Sequence, residues 1–196
     1  MLNSLDLAIL YFFNQDLANP VFDIFFTTLS ESRLVWILLI VMMIILFIKG
    51  GSRGRLAVLL VVVCFTITDP STHYILKKLF CRLRPCHIFD DLRLIAGCGG
   101  LYGFPSNHAA NSFTLAFVFS FFYRRLTVFF FSIATLVCIS RVYLGKHYLS
   151  DVVAGAILGI LVAFLVVYFI KKPVQRLLKI ESFDFNNSRI EGTGNG

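Results

Sequence analysis

The chain has 196 residues, room for one domain. It is 58% hydrophobic and only 15% charged, with a mean hydropathy of +0.81, which excludes an ordinary soluble domain of about half apolar residues. The net charge of +7 would raise nucleic acid as a partner for a soluble protein. Here the cations cluster at the ends of apolar runs, as contact with anionic lipids and membrane orientation require, so a bilayer and no nucleic acid is expected.

The first sixteen residues lack the basic start and small-residue cleavage site of a signal peptide. Residues 4–29 mix apolar positions with Asp6, Asn14, Gln15, Asp16, Asn19, Pro20 and Asp23. That is too polar for a clean crossing, so two short amphipathic helices in the interface are expected, with a sixth membrane helix as the alternative. Five apolar runs follow, at 33–48, 56–79, 107–123, 126–141 and 149–170, close to the ~20 helical residues that cross a bilayer. The expected fold class is all-α: a polytopic bundle of five to six membrane helices with an interfacial N-terminal segment. A single domain fills residues 1–180, and 181–196 form a polar tail expected to be disordered.

Charge sets the orientation. Lys49, Arg53, Arg55, Arg124, Arg125, Lys171, Lys172, Arg176 and Lys179 fall on one side; Lys77, Lys78, Arg82, Arg84, Arg93, Arg141 and Lys146 fall on the other. Three of the second group have a chemical use given below, so the first side reads as cytoplasmic and the 80–105 and 142–148 loops as outside. The expected location is a bacterial inner membrane, with the site facing the periplasm. Cys64 and Cys138 lie in apolar runs and read as small buried hydrophobes. Cys81, Cys86 and Cys98 share one polar loop, which allows one disulfide and a free thiol, or no disulfide. Cys81, Cys86 and His87 lack the second pair that would complete a zinc site, so no metal is expected.

Three clusters share the outer face: Lys77 with Arg84-Pro85, then Pro105-Ser106-Asn107-His108, then Ser140-Arg141 with His147 and Asp151. Arginine offers a planar fork to phosphate oxygens and lysine a compact charge. Ser106 stands at an N-cap, where free N–H groups favour an anion, and His108 follows in the first turn. His147 and Asp151 are four apart; a carboxylate bonded to one imidazole nitrogen leaves the other free to attack. Each residue alone has a plain structural use, as interface anchor, helix start or first-turn charge. Their convergence on one face argues for phosphoryl transfer.

This pattern resembles the type 2 phosphatidic acid phosphatase superfamily, the histidine-nucleophile lipid phosphatases related to vanadium haloperoxidases. Its K-x6-R-P motif is matched by Lys77, Arg84 and Pro85, and its S-R-x5-H-x3-D motif by Ser140, Arg141, His147 and Asp151. Its P-S-G-H motif reads Pro105-Ser106-Asn107-His108 here. The resemblance implies that His147 attacks phosphorus, Asp151 orients it, and His108 protonates the leaving oxygen and then activates water. Lys77, Arg84, Ser106, Asn107 (through its backbone) and Arg141 would hold the phosphate, without a metal or other cofactor. Asn107 replaces a glycine and, being tolerant of left-handed backbone, is expected to preserve the turn.

The implied substrate is a phosphorylated membrane lipid, with lipid A 1-phosphate or undecaprenyl diphosphate first. The alternatives are phosphatidylglycerol phosphate hydrolysis, lipid phosphotransfer, or non-catalytic lipid binding or transport. Lys78, Arg82, Arg93 and Lys146 offer a basic rim for a second phosphate, or mere contact with the lipid surface. Asp69 has two readings: part of a hydrogen-bonded kink with Thr66, Thr68 and Pro70, or an intramembrane functional carboxylate.

Overall fold

The computed structural model describes residues 4–177; the tail expected over 181–196 lies outside them. Among the described residues there are helices and one isolated β-bridge, with no β-strand. The order is α1 (Ser4–Tyr11), α2 (Pro20–Glu31), α3 (Arg33–Lys49), α4 (Gly51–Pro70), α5 (Lys77–Phe80), α6 (Asn107–Phe122), α7 (Thr127–Tyr143) and α8 (Leu149–Leu177).

The N-terminal segment forms two short helices, as its polarity requires. A π-turn, Phe12–Asp16, ends α1. The Asn19 side chain then accepts the Phe22 N–H at 2.9 Å, with Pro20 occupying the first turn where its missing N–H costs nothing. Ser32 caps α3 by accepting the Leu34 N–H at 3.2 Å, and α2 and α3 meet at a bend of 48°. Gly51, at φ +59°, turns the chain from α3 into α4.

The helices α4 and α5 form one 30-residue rod, Gly51–Phe80, through a π-turn at Ser71–Leu76. Pro70 supplies no N–H, and hydroxyls take up nearby carbonyls: Ser71 Oγ donates to Ile67 O at 2.7 Å and Thr72 Oγ1 to Thr68 O at 3.0 Å. By length and apolarity three described segments suffice to cross a bilayer: Gly51–Phe80, Arg124–Tyr143 and Leu149–Phe169. The bent pair α2–α3 makes a fourth if it is one span. The run expected at 107–123 is the 16-residue α6, short of a full crossing at 1.5 Å per residue.

The core lies between α4, α6 and α8, where Leu56, Leu60 and Cys64 meet Val118, Phe119, Phe122, Ala163 and Val166. Two glycines let α6 and α8 touch backbone to backbone. A Cβ on Gly159 would collide with the Ala110 carbonyl oxygen and stand 2.9 Å from its carbon; one on Gly155 would collide with Ser106 O. This crossing sets the start of α6 against the start of α8. No residue of α3 is fully buried: Met43 and Leu46 pack on the core, while Leu34, Ile37, Leu38, Ile44 and Ile48 are exposed as on a lipid-facing helix.

Candidate active site

The end of the α4–α5 rod, the start of α6, the end of α7 and the start of α8 all reach the same end of the bundle. The connection from 81 to 106 folds back on itself there. Arg84 N–H donates to Leu101 O at 3.2 Å, Gly103 N–H to Arg82 O at 2.8 Å, and Leu83 bridges Tyr102. A disulfide joins Cys86 to Cys98, leaving Cys81 as the exposed free thiol. These links carry Arg84 and the Pro105–His108 segment to one place. Ser106 N–H then donates to Asp151 O at 3.0 Å, tying the start of α6 to α8.

The structure brings the sequence-identified residues together there. Lys77, Arg84, Ser106, Arg141, His147 and Asp151 are all buried, and His108 is partly buried in the first turn of α6. His147 Nδ1 lies 3.4 Å from Asp151 Oδ2, and Arg84 Nη1 lies 3.3 Å from His147 Nε2. Guanidinium can only donate, so Nε2 carries a lone pair and Nδ1 holds the proton towards Asp151. Burial, reinforced by Arg84, Arg141 and Lys77, keeps the His147 imidazole well below its usual pKa and therefore neutral. Arg84 is lowered to about 10 by burial and by Arg141, and so stays charged at neutral pH.

Two buried donors, Nε of Arg84 and Nε of Arg141, have no partner. Native interiors rarely leave such groups unpaired, and both flank the imidazole electrostatically. Both belong to guanidinium groups of the kind that hold phosphate oxygens. The Ser106 hydroxyl caps α6 at a long 3.5 Å to the Ala109 N–H.

Several residues were not found from the sequence. Gly103 packs against the pair: a Cβ there would stand 3.1 Å from Asp151 Oδ2, 3.2 Å from Arg84 Cγ and 3.5 Å from His147 Nδ1. Glu31, at the α2–α3 bend, pairs with Arg141 and lies 2.8 Å from Lys146 Nζ. Of the expected basic rim, Arg82 is paired with Asp6 and Asp151, Arg93 with Asp23, and Lys146 with Glu31, while Lys78 is exposed. The N-terminal segment is thus an acidic collar around the site. An acidic residue in each of its helices opposite an excess of cations was the available signal. Because Glu31 competes with an anion for Arg141, Glu31→Gln is expected to tighten inhibition by inorganic phosphate roughly three- to tenfold, about 1 kcal/mol for a partly exposed pair. Unchanged inhibition would remove Glu31 from the anion site.

Asn107 does not use left-handed backbone. It opens α6, and Cys81, at φ 45°, is the non-glycine residue with positive φ among those described. Its amide instead points to Asp69 Oδ1 at 3.4 Å, which also accepts from Asn111 Nδ2 at 2.9 Å. Asp69 therefore has partners across the helix pair as well as a place beside the kink. An apolar cavity of about 290 Å³ opens between α3, α4, α6 and α7, lined by Trp36, Phe65, Leu115 and Ile133, with His108 on its wall.

The sequence profile of the PAP2 superfamily matches residues 54–175. The lipid A 4'-phosphatase of Bacteroides thetaiotaomicron is 34% identical over 185 residues, spanning 90% of this chain and 81% of that one. The crystal structure of Aquifex aeolicus LpxE superposes with a TM-score of 0.67 at 26% identity, over 85% of this chain and 97% of that one. A PAP2-type phosphatidylglycerolphosphate phosphatase from Bacillus subtilis superposes with a TM-score of 0.62 at 25% identity, over 91% and 87%.

Proposed function

Because the chain belongs to the PAP2 superfamily and is a membrane lipid phosphatase, we propose that it removes a monophosphate from lipid A through a phosphohistidine on His147. The observation that carries the reading is the convergence of Lys77, Arg84 and Arg141 on a neutral His147 imidazole that lies against Asp151. His147 Nε2 attacks phosphorus, forming the N–P bond as the P–O bond to the lipid breaks. His108, protonated in the complex with the anionic substrate, gives its proton to the departing oxygen. Neutral His108 then takes a proton from water, whose oxygen attacks phosphorus; the N–P bond breaks, phosphate leaves and imidazole is restored. Asp151 steadies the imidazole, and Lys77, Arg84 and Arg141 meet the charge on the equatorial oxygens, as in-line phosphoryl transfer demands. Arginine and lysine are assigned the charge work that a metal performs in other phosphatases.

Two observations favour lipid A over undecaprenyl diphosphate. The Bacteroides thetaiotaomicron relative acts on lipid A, at its 4' position. Arg82, Arg93 and Lys146 already have carboxylate partners, which leaves little rim charge for a second phosphate. The cavity beside His108, on the leaving-group side, suits an acyl chain entering from the bilayer. The charge distribution supports a site on the periplasmic face of an inner membrane.

The test is phosphate release in EDTA by the detergent-purified chain from lipid A, undecaprenyl diphosphate, phosphatidylglycerol phosphate and phosphatidic acid. Fastest release from lipid A, with product mass showing loss at the 4' or 1 position, is expected. Faster release from another lipid would replace the substrate assignment. Phosphate appearing on an acceptor lipid instead of water would make the chain a phosphotransferase.

A further inference from the structure

We propose that Arg82, held by Asp6, is a positioning residue for the phosphoryl-transfer step. It selects which oxygen of Asp151 faces His147. The inference rests on the reading of His147 as the nucleophile.

Asp151 is fully buried, and its two oxygens have divided duties. Oδ1 accepts from Arg82 Nη1 at 2.7 Å. Oδ2 accepts the Tyr148 N–H at 3.1 Å and lies 3.4 Å from His147 Nδ1. A carboxylate held only by Tyr148 and the imidazole could pivot about its Cβ–Cγ bond. The Arg82 bond removes that freedom, and the imidazole then inherits a fixed direction for Nε2.

Arg82 is itself locked from several directions. Nη1 also donates to Ser150 Oγ at 2.6 Å, and Nη2 donates to Asp6 Oδ2 at 2.8 Å. Its Cζ sits 4.3 Å from the centroid of the Tyr148 ring. Asp6 accepts in addition from Ser150 N–H at 2.9 Å and Ser150 Oγ at 2.6 Å, so α1 secures both the guanidinium and the first turn of α8. An ion pair serving only to dock α1 would end at Asp6. This guanidinium continues to the carboxylate beside the nucleophile, and the two tasks need the two arms of a planar fork. Lysine keeps the charge but cannot bridge in that way.

The test compares Arg82→Gln, Arg82→Lys and Asp6→Asn with the wild-type full-length chain in detergent. It uses p-nitrophenyl phosphate as substrate, acid-labile phosphoenzyme as a separate readout, and inorganic phosphate and orthovanadate as inhibitors. Phosphate reports the anion cradle alone; vanadate, which can accept a nitrogen ligand, also reports the direction of His147. For Arg82→Gln, kcat is expected to fall about 10- to 100-fold with KM within about threefold, the usual scale for loss of an outer-sphere orienting partner. Phosphate inhibition should be unchanged and vanadate inhibition weakened. Asp6→Asn should show the same split to a smaller degree, and Arg82→Lys partial recovery. The proposal is overturned if kcat in Arg82→Gln stays within about threefold of wild type, or if phosphate and vanadate inhibition weaken together, which would make Arg82 part of the anion cradle. Should Arg82→Gln fail to fold, full activity in folded Arg82→Lys and Asp6→Asn overturns it equally. A wild-type chain that turns over without any phosphoenzyme would remove the nucleophile reading and this inference with it, a result separate from the variant comparison.

Discussion

Replacing His147 with alanine is expected to abolish phosphate release and the acid-labile phosphoenzyme together, while the protein still binds inorganic phosphate. The cradle of Lys77, Arg84 and Arg141 survives that change, so anion binding persists without chemistry. Loss of a nucleophile from a cooperating set costs about 10⁴-fold or more. His108→Ala gives a different pattern, because its proposed work lies in leaving-group protonation and water activation. With a lipid substrate both steps slow. With p-nitrophenyl phosphate the leaving group needs no proton, so phosphorylation proceeds and phosphoenzyme accumulates. Rapid quench with labelled substrate separates the two variants. Accumulation in His147→Ala, or its absence in a folded His108→Ala, would reverse or remove these assignments.

A β-branched residue at Gly159 should damage both stability and activity. The α6–α8 contact leaves no room for a side chain, and Thr114 Oγ1 donates across it to Gly159 O at 3.1 Å. In Gly159→Val the helices must separate, at a cost of roughly 2–3 kcal/mol for an overpacked interior. The same separation strains the Ser106–Asp151 bond of 3.0 Å and draws His108 away from His147. A displacement of about 1 Å is enough to cost 10²-fold in rate, so kcat/KM should fall at least that far. Gly97, with nothing within 4 Å of a built Cβ, is the control, and Gly97→Ala should leave both quantities near wild type. Thermal unfolding and lipid phosphatase assays check the pair; normal turnover in Gly159→Val would show that the crossing does not set the site.

The residues that converge at the candidate site could be picked out in the sequence because they stand at helix ends, and those ends are marked by Pro, Ser and charge. The helices were legible too, with errors where charge and apolarity disagree. The expected start at 56 is Gly51, because Arg53 and Arg55 occupy the first turn of α4 and hide it from a search for apolar runs. Arg53 stands 5.6 Å from the Tyr123 ring centroid, so the helix keeps its cation at the bundle end. At the other end, α8 continues through Lys171, Lys172 and Pro173, which read as a stop. The pairing within the acidic collar was not legible. Asp6 and Arg82 are 76 residues apart, Asp23 and Arg93 are 70, and Glu31 and Arg141 are 110. No local spacing rule pairs them. Nor could counting choose among three loop cysteines; the folding back of 81–106 brings Cys86 and Cys98 to a Cα separation of 5.9 Å.

The backbone contact between α6 and α8 also bears on how the molecule is made. Lys77, Arg84 and His108 precede α7 in the chain, whereas His147 and Asp151 belong to the turn into α8 and its first residues. During synthesis Lys77, Arg84 and His108 therefore leave the ribosome well before Arg141, His147 and Asp151, which follow close together. Until α8 has packed its glycines against Ala110, the residues that converge at the candidate site are not held together. Assembly of the candidate site therefore waits on the last of the described helices to be made.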